Sequence, residues 1–422
     1  MIVVGDVAST PDYGGLADLS QRVHRVEYLI DPRGAGHSQP TLDCPEVTTA
    51  SPTLVGLRFR DPAHAVTVRA AVQACHDRLA AQGIDLAAYD LAGNAADVRD
   101  LRTALGMGAW NAIAYGPATE SLFELARLYP EGLRSITLDS PVLLEPNAVA
   151  SGPAALDLTI DRLAVTCNAT PSCTKRAPDL AGMIRSAVVK LDANPQTFDV
   201  DGTASAVLLG HPIHVVVDGA ALLRYVRSFG TERPDGGRVI SAVIRALNGR
   251  LDATDPAVVF LSGDVGDCLG MVPLCARMNF GVLYSHACRD TLSSEARSVL
   301  DAEIAGRAAY ADLFSPGPRE AACQAWAVKP ASPLPPGPFT SDVPVLMLRG
   351  ALDPFSATPD EINDASAGSP NAYLVEVPDT GNNALGPREC LVAVRNAWVD
   401  APTAAPVDAS CLSSIQPIDL GP

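Results

Sequence analysis

Hydrophobic and polar positions along the chain follow two periods. Short apolar runs read as buried strands at residues 1–4, 25–30, 110–115, 133–138, 345–348 and 373–377. Between them, apolar residues three or four apart predict helices over 16–23, 62–83, 94–106, 121–129 and 389–399. Asn94 is the expected N-cap of the third of these and Gly106 its stop. Strands alternating with helices imply a mostly parallel sheet covered on both faces. After Pro141 the rhythm changes. Residues 150–330 are largely helical in pattern, and the runs 187–189 and 215–217 leave helix and strand both open. Pro330, Pro333, Pro335, Pro336 and Pro338 stiffen the return, after which the first rhythm resumes. The expected organisation is a core from residues 1–145 and 340–422, with 146–339 inserted as a helical lid.

Composition narrows the class. At 422 residues and 47% hydrophobic content the chain can bury one large core with an insertion, or two cores. A net charge of −17 argues against nucleic acid and against docking on anionic lipid. No apolar run reaches the ~18 residues of a membrane span. The cysteines fall in close sequential pairs: Cys44 with Cys75, Cys167 with Cys173, Cys268 with Cys275, Cys288 with Cys323, and Cys390 with Cys411. No C-x-x-C occurs and no histidine stands at zinc-site spacing, so neither a metal nor a cofactor is indicated. Five disulfides in an oxidising, extracytoplasmic compartment are expected instead. The start is a short apolar stretch without basic residues, followed at once by Asp6, so no signal sequence is visible in this chain.

The chain is organised around residues 110–122, which read as a buried strand, a sharp turn and the start of a helix. α/β-Hydrolases hold their nucleophile on such a turn, in the pattern G-x-S-x-G. Here the five positions are Ala114, Tyr115, Gly116, Pro117 and Ala118, with glycine in the serine position. Asp353, in the turn after strand 345–348, stands where that fold places its acid. Further segments extend the likeness: residues 31–38 (Asp-Pro-Arg-Gly-Ala-Gly-His-Ser), residues 42–45 (Leu-Asp-Cys-Pro), the stretch from Tyr129 to Pro141, residues 323–326 (Cys-Gln-Ala-Trp), and the final pair of Cys390 and Cys411. Together they resemble the tripeptidyl aminopeptidase-like branch of the α/β-hydrolases, secreted serine exopeptidases related to proline iminopeptidases. The resemblance implies an α/β-hydrolase fold with an inserted helical lid. It places the family's N-terminal edge strands before Met1, so the sheet is expected to be truncated at that edge.

Carried over by position, the resemblance makes Gly116 the nucleophile position, Asp353 the acid and Asn382, after Gly381, the base. It puts the first oxyanion segment at Gly5 and Asp6, and the second oxyanion donor on Pro117. Each position but the acid is chemically empty. Gly116 has no nucleophilic atom, and Asn382 cannot take and return a proton near neutral pH. Pro117 has no N–H to donate, a loss typically worth ~10²–10³ in rate. Asp6 would oppose a developing negative charge. Among substitutes, Ser121 should face away from the turn and Thr119 lacks a paired base. His37 sits on the 31–38 loop, His211 and His214 in the lid. His286 reads as structural, and His24, His64 and His76 as ordinary surface or core positions. Three readings stay open: a non-catalytic protein that binds a peptide or small acyl ligand, a hydrolase with a rewired site, and a structural or partner-binding protein without ligand.

Overall fold

The computed structural model describes residues 2–4, 26–143, 151–201, 203, 206, 210–229, 235–263, 279–291, 294–315, 317–330, 339–385, 389–402 and 407–421. Among the described residues, six strands form one sheet: β1 (Ile2–Val4), β2 (Tyr28–Ile30), β3 (Trp110–Tyr115), β4 (Leu133–Asp139), β7 (Val345–Gly350) and β8 (Ala372–Val377). Their spatial order is β2-β1-β3-β4-β7-β8, and every pairing is parallel. Register aligns Ala114 with Leu138, Leu138 with Met347, and Leu348 with Val375.

The two-residue period of a strand sorts these side chains onto opposite faces. Ala112, Ala114, Ile136, Leu138, Val345 and Met347 share one buried cluster with Leu122 and Phe123. Ile113, Leu346, Leu348 and Val375 fall in another, with Leu391 and Trp398 of the C-terminal helix. Burial on both faces is why β3 and β7 read as mostly apolar runs, apart from Asn111 and Arg349. This is the α/β-hydrolase sheet expected from the sequence.

Helix α1 (Pro45–Val55), α2 (Pro62–Ala81), α3 (Leu91–Ala104), α4 (Ala118–Leu128), α14 (Pro359–Ala365) and α15 (Glu389–Asp400) flank the sheet strands in sequence. The helix expected over 16–23 lies outside the described residues, as do residues 331–338 of the proline-rich return. The start of α3 differs from expectation. Its cap is Asp90, whose carboxylate accepts from the Gly93 N–H at 2.8 Å, and Asn94 lies inside the helix and is buried. Aspartate is an equally good cap, and the apolar Leu91 between them belongs to the buried face. Gly106 ends the segment at φ +63° as expected.

The described residues between 151 and 326 contribute no strand to the central sheet. They supply helices α5 (Ser151–Asn168), α6 (Pro171–Arg176), α7 (Leu180–Ala193), α8 (Gly219–Ser228), α9 (Gly236–Leu247), α10 (Pro256–Gly263), α11 (Phe280–His286), α12 (Ser294–Ala305) and α13 (Gly317–Trp326). They also hold a separate antiparallel pair, β5 (Gln196–Val200) with β6 (Ile213–Val217). The two apolar runs left open in sequence thus resolve oppositely. Residues 187–189 continue α7, where Ala187 and Val188 are buried, whereas 215–217 alternate in and out as a half-buried strand. The segment has its own core, from Leu156 and Ile160 through Ile213 and Val215 to Phe314.

Among the described residues, four disulfides close loops near the sheet and within this segment: Cys44–Cys75, Cys167–Cys173, Cys288–Cys323 and Cys390–Cys411. These are four of the five expected bridges. The fifth pairing, of Cys268 with Cys275, is not among them, because Cys268 and Cys275 both lie outside the described residues. Cys44, Glu46 and Cys75 cluster closely, but both thiols are spent in the disulfide and offer no metal ligand. No described helix is long and apolar enough to cross a membrane. Loop-closure entropy ranks the bridges. Replacing both Cys44 and Cys75, separated by 31 residues, with alanine should cost ~3–4 kcal/mol in a urea melt. The same change at Cys167 and Cys173, separated by 6, should cost ~2 kcal/mol.

Candidate functional site

Three turns meet at the C-terminal edge of the sheet. The first follows β3. Gly116 takes φ +54°, a conformation that a side chain strains, and its N–H donates to the Asp139 carbonyl at 2.9 Å. A Cβ placed on Gly116 would meet nothing within 4 Å. The sharp turn is therefore kept, and the space a nucleophilic side chain would occupy is open. Pro117 caps α4 at φ −59° and brings no N–H to that space.

The second turn follows β7. Arg349 is fully buried and donates to three carbonyls of this turn: Ala357 from Nε at 2.7 Å, Gly350 from Nη1 at 2.8 Å and Asp353 from Nη2 at 2.9 Å. Burial pulls its pKa down, and the carbonyl dipoles around the guanidinium replace lost water. Asp353 is also fully buried. Its Oδ1 accepts from the Phe355 and Ser356 N–H groups at 2.8 and 3.2 Å, and its Oδ2 from the Ser356 hydroxyl at 2.7 Å. The expected acid serves its own turn.

The third turn follows β8. Thr380 and Gly381 pack against β7 so closely that their carbonyl oxygens stand where a Cβ on Gly350 would be, which only glycine permits. Asn382 is buried in this turn. Asp139, at the end of β4, takes the Ala384 N–H on Oδ1 at 2.8 Å and the Leu385 N–H on Oδ2 at 2.9 Å, and the Ser140 hydroxyl takes the Asn383 N–H at 2.9 Å. The structure thus brings Gly116, Pro117, Asp353 and Asn382 to one edge of the sheet. No side-chain hydrogen bond between Asp353 and Asn382 occurs among the described contacts. Gly5 and Asp6 lie outside the described residues.

A cavity of about 320 Å³ opens beside Pro117. Its wall carries Glu120 from α4 and His286 from α11, with Glu120 Oε2 and His286 Nε2 3.4 Å apart and both side chains buried. Burial pushes His286 down to about 4, against a weak opposing pull from Asp90, so the imidazole is neutral at physiological pH. Arg224, Arg227 and Arg319 also line the cavity, and most of the remaining wall is apolar. No serine or threonine is among the described lining residues, and the cysteine there, Cys323, is bonded to Cys288.

The substitutes considered from sequence stand elsewhere. The Thr119 hydroxyl donates to the Gly116 carbonyl at 2.6 Å and accepts the Val142 N–H at 2.9 Å. Ser121 is buried within the protein and does not line the cavity. His37 is largely exposed beside Asp31, and His214 pairs with Asp199 at 2.8 Å on the hairpin. His211 is exposed next to its own Pro212 carbonyl, and His64 is buried against Phe59. His76 bonds Asp77 at 3.0 Å, and His24 lies outside the described residues. His286, read from sequence as structural, faces the cavity. Nothing local in the sequence signals this, because its partner Glu120 lies in a distant segment.

The profile of the family described as "TAP-like protein" matches residues 313–411, the part that carries α13, β7, β8 and their turns. This stretch, about a quarter of the chain, is similar to that family. No curated protein matches it by sequence. Among solved structures, a proline iminopeptidase of Mycobacterium smegmatis is 13% identical at TM-score 0.39, covering 94% of this chain and 88% of that one. An α/β fold family hydrolase from Bacillus anthracis is 10% identical at TM-score 0.37, covering 95% and 91%. E-2-(Acetamidomethylene)succinate hydrolase is 14% identical at TM-score 0.35, with coverage of 95% and 91%. Likenesses this remote carry no argument about chemistry in this chain.

The carboxyl that ties the edge together titrates unusually. Burial raises Asp139 to about 7, and the nearby Asp353 charge adds to this, while the Leu385 and Ala384 N–H groups oppose it. A carboxyl whose pKa is higher folded than unfolded stabilises fully below about pH 4, and that contribution fades as pH rises through about 7. Asp139→Asn has no such proton to lose. In urea melts, the stability of wild type relative to this variant should fall between about pH 4 and about pH 8, by a few kcal/mol at most.

Proposed function

We propose that this chain is a non-catalytic member of the TAP-like family that binds a peptide or small acyl ligand in the cavity beside Pro117. On this reading residues 1–145 and 340–422 are the core, and 146–339 form the lid that roofs the cavity. The observation that carries it is the pairing of an intact elbow with an empty site. Gly116 holds the strained turn, but no nucleophilic atom stands there, and the described cavity wall offers no serine, threonine or free thiol to replace one. Pro117 supports it too, since it removes the N–H that would meet an oxyanion. The losses at Gly116, Asn382, Pro117 and Asp6 are separate, each falling on a different residue and removing a different part of the chemistry. The four disulfides fit an oxidising, extracytoplasmic setting.

One observation favours the rewired-hydrolase reading. Glu120 and His286 approach to 3.4 Å on the cavity wall, and such a carboxylate–imidazole pair can move protons. It lacks a nucleophile to serve, which ranks this reading second.

Purified wild-type protein should not label with a serine-directed fluorophosphonate. It should not turn over peptide or 4-nitrophenyl ester substrates between about pH 5 and about pH 9, where a histidine base would work. Gly116→Ser should fold, at a cost on the order of 1–2 kcal/mol for a side chain at positive φ, and remain inert. Adding Asn382→His should still give little, for want of oxyanion donors. Only the further changes Pro117→Tyr and Asp6→Gly should bring detectable turnover. Robust wild-type hydrolysis that disappears on changing Glu120, His286, Thr119, Ser121 or His37 would show a rebuilt site and overturn the proposal.

A further inference from the structure

The described wall of the cavity beside Pro117 carries three guanidiniums, those of Arg224, Arg227 and Arg319, and the Glu120 carboxylate. His286 adds no charge, being held neutral by burial. This gathering of guanidiniums sits inside a chain whose net charge is −17. Arg227 is its centre. Its guanidinium lies over the Phe355 ring at 4.5 Å and the Phe314 ring at 5.6 Å, and its Nε donates to the Pro354 carbonyl at 3.4 Å. No described hydrogen bond uses its Nη1 or Nη2. Burial first, and then the charge of Arg319, pull Arg227 down to about 10, with Asp353 opposing; it remains a cation at neutral pH.

Like charges brought together at a half-enclosed, largely apolar wall favour an anion between or against them. A carboxylate matches the planar fork of a guanidinium and can accept two of its N–H bonds at once. The rest of the wall, including Val47, Leu54, Val68, Phe280 and Leu283, suits a hydrocarbon tail. At about 320 Å³ the space is at the small end of ligand cavities, which run ~300–1,000 Å³.

We infer that this cavity takes a small amphipathic monocarboxylate, its carboxylate received by Arg227 and Arg319 and its apolar tail laid along the wall. This rests on the reading of the protein as a binder and narrows its ligand from an acyl group in general to an acid with a free carboxylate. Arg227 and Arg319 come from different helices, α8 and α13, so the ligand would be gripped from two sides. The stacking of Arg227 on Phe355 also gives the retained Asp353 a use: its Oδ1 accepts the Phe355 N–H at 2.8 Å and so fixes the ring beneath the guanidinium.

The test uses the full chain with octanoate and its uncharged isostere octanamide, followed by calorimetric titration and by thermal melting, since a ligand of the folded state raises the melting temperature. Octanoate should bind at least about tenfold tighter than octanamide. Arg227→Met, which keeps the stem over the rings, should weaken octanoate by about tenfold or more and leave octanamide unchanged. Arg319→Gln, on the other helix, should act in the same direction and decides the matter if the first variant does not melt cooperatively. Equal binding of octanoate and octanamide, no binding of octanoate, or full octanoate affinity in a folded Arg227→Met or Arg319→Gln protein would each overturn the inference. The underlying reading fails by a different signal: turnover of 4-nitrophenyl octanoate by wild type would refute the non-catalytic assignment whatever the two ligands do.

Discussion

Residues 139 and 140 hold the functional edge of this molecule together. The Asp139 carbonyl takes the Gly116 N–H, its carboxylate takes the Ala384 and Leu385 N–H groups, the Ser140 N–H reaches the Leu348 carbonyl, and the Ser140 hydroxyl takes the Asn383 N–H. Two consecutive residues thus fasten the elbow, the β7 strand end and the turn after β8. The arrangement has a cost: Ser140 is held at φ +54° and Asp139 is wholly buried. Five hydrogen bonds to backbone groups that would otherwise be buried and unpaired offset it.

This accounts for how the turns keep their shape whatever stands at residues 116 and 382. None of these bonds involves a side chain of Gly116, Asp353 or Asn382. The turns are set by backbone partners and by the three carbonyls around Arg349, so the nucleophile and base positions can change without loosening the frame. Gly116 and Pro117 even suit the local geometry, one because φ is positive and the other because it begins a helix. Asp353 stays because its carboxylate closes its own turn through Phe355 and Ser356.

The strands of the core were legible because buried strands leave apolar runs and positive-φ turns leave glycines. Residues 110–115, interrupted only by Asn111, and residues 345–348 showed apolar runs, and each of these two strands lies within a residue or two of its expected limits. The start of α3 was less legible because Asp90 and Asn94 are both good caps, and only the burial of Leu91 decides between them. Within 151–326, runs of Val could be helix or strand, since periodicity fails over three residues. The cavity was not legible at all. Glu120, Arg227, His286 and Arg319 meet only after α4, α8, α11 and α13 pack, and no spacing in the chain records that meeting.

Charge separates the two roles this cavity could have. A serine hydrolase that cleaves neutral bonds needs donors aimed where an oxyanion develops, present only in the transition state. Fixed guanidiniums on apolar walls do something else: they stabilise an anion already in the ground state, which favours retention over turnover. Gly116 offers no nucleophilic atom and Pro117 no N–H, while the described cavity wall carries the Arg227 and Arg319 guanidiniums. On the proposed reading, missing transition-state donors together with ground-state cations move the balance in one direction, from making and breaking bonds toward holding an acid in place.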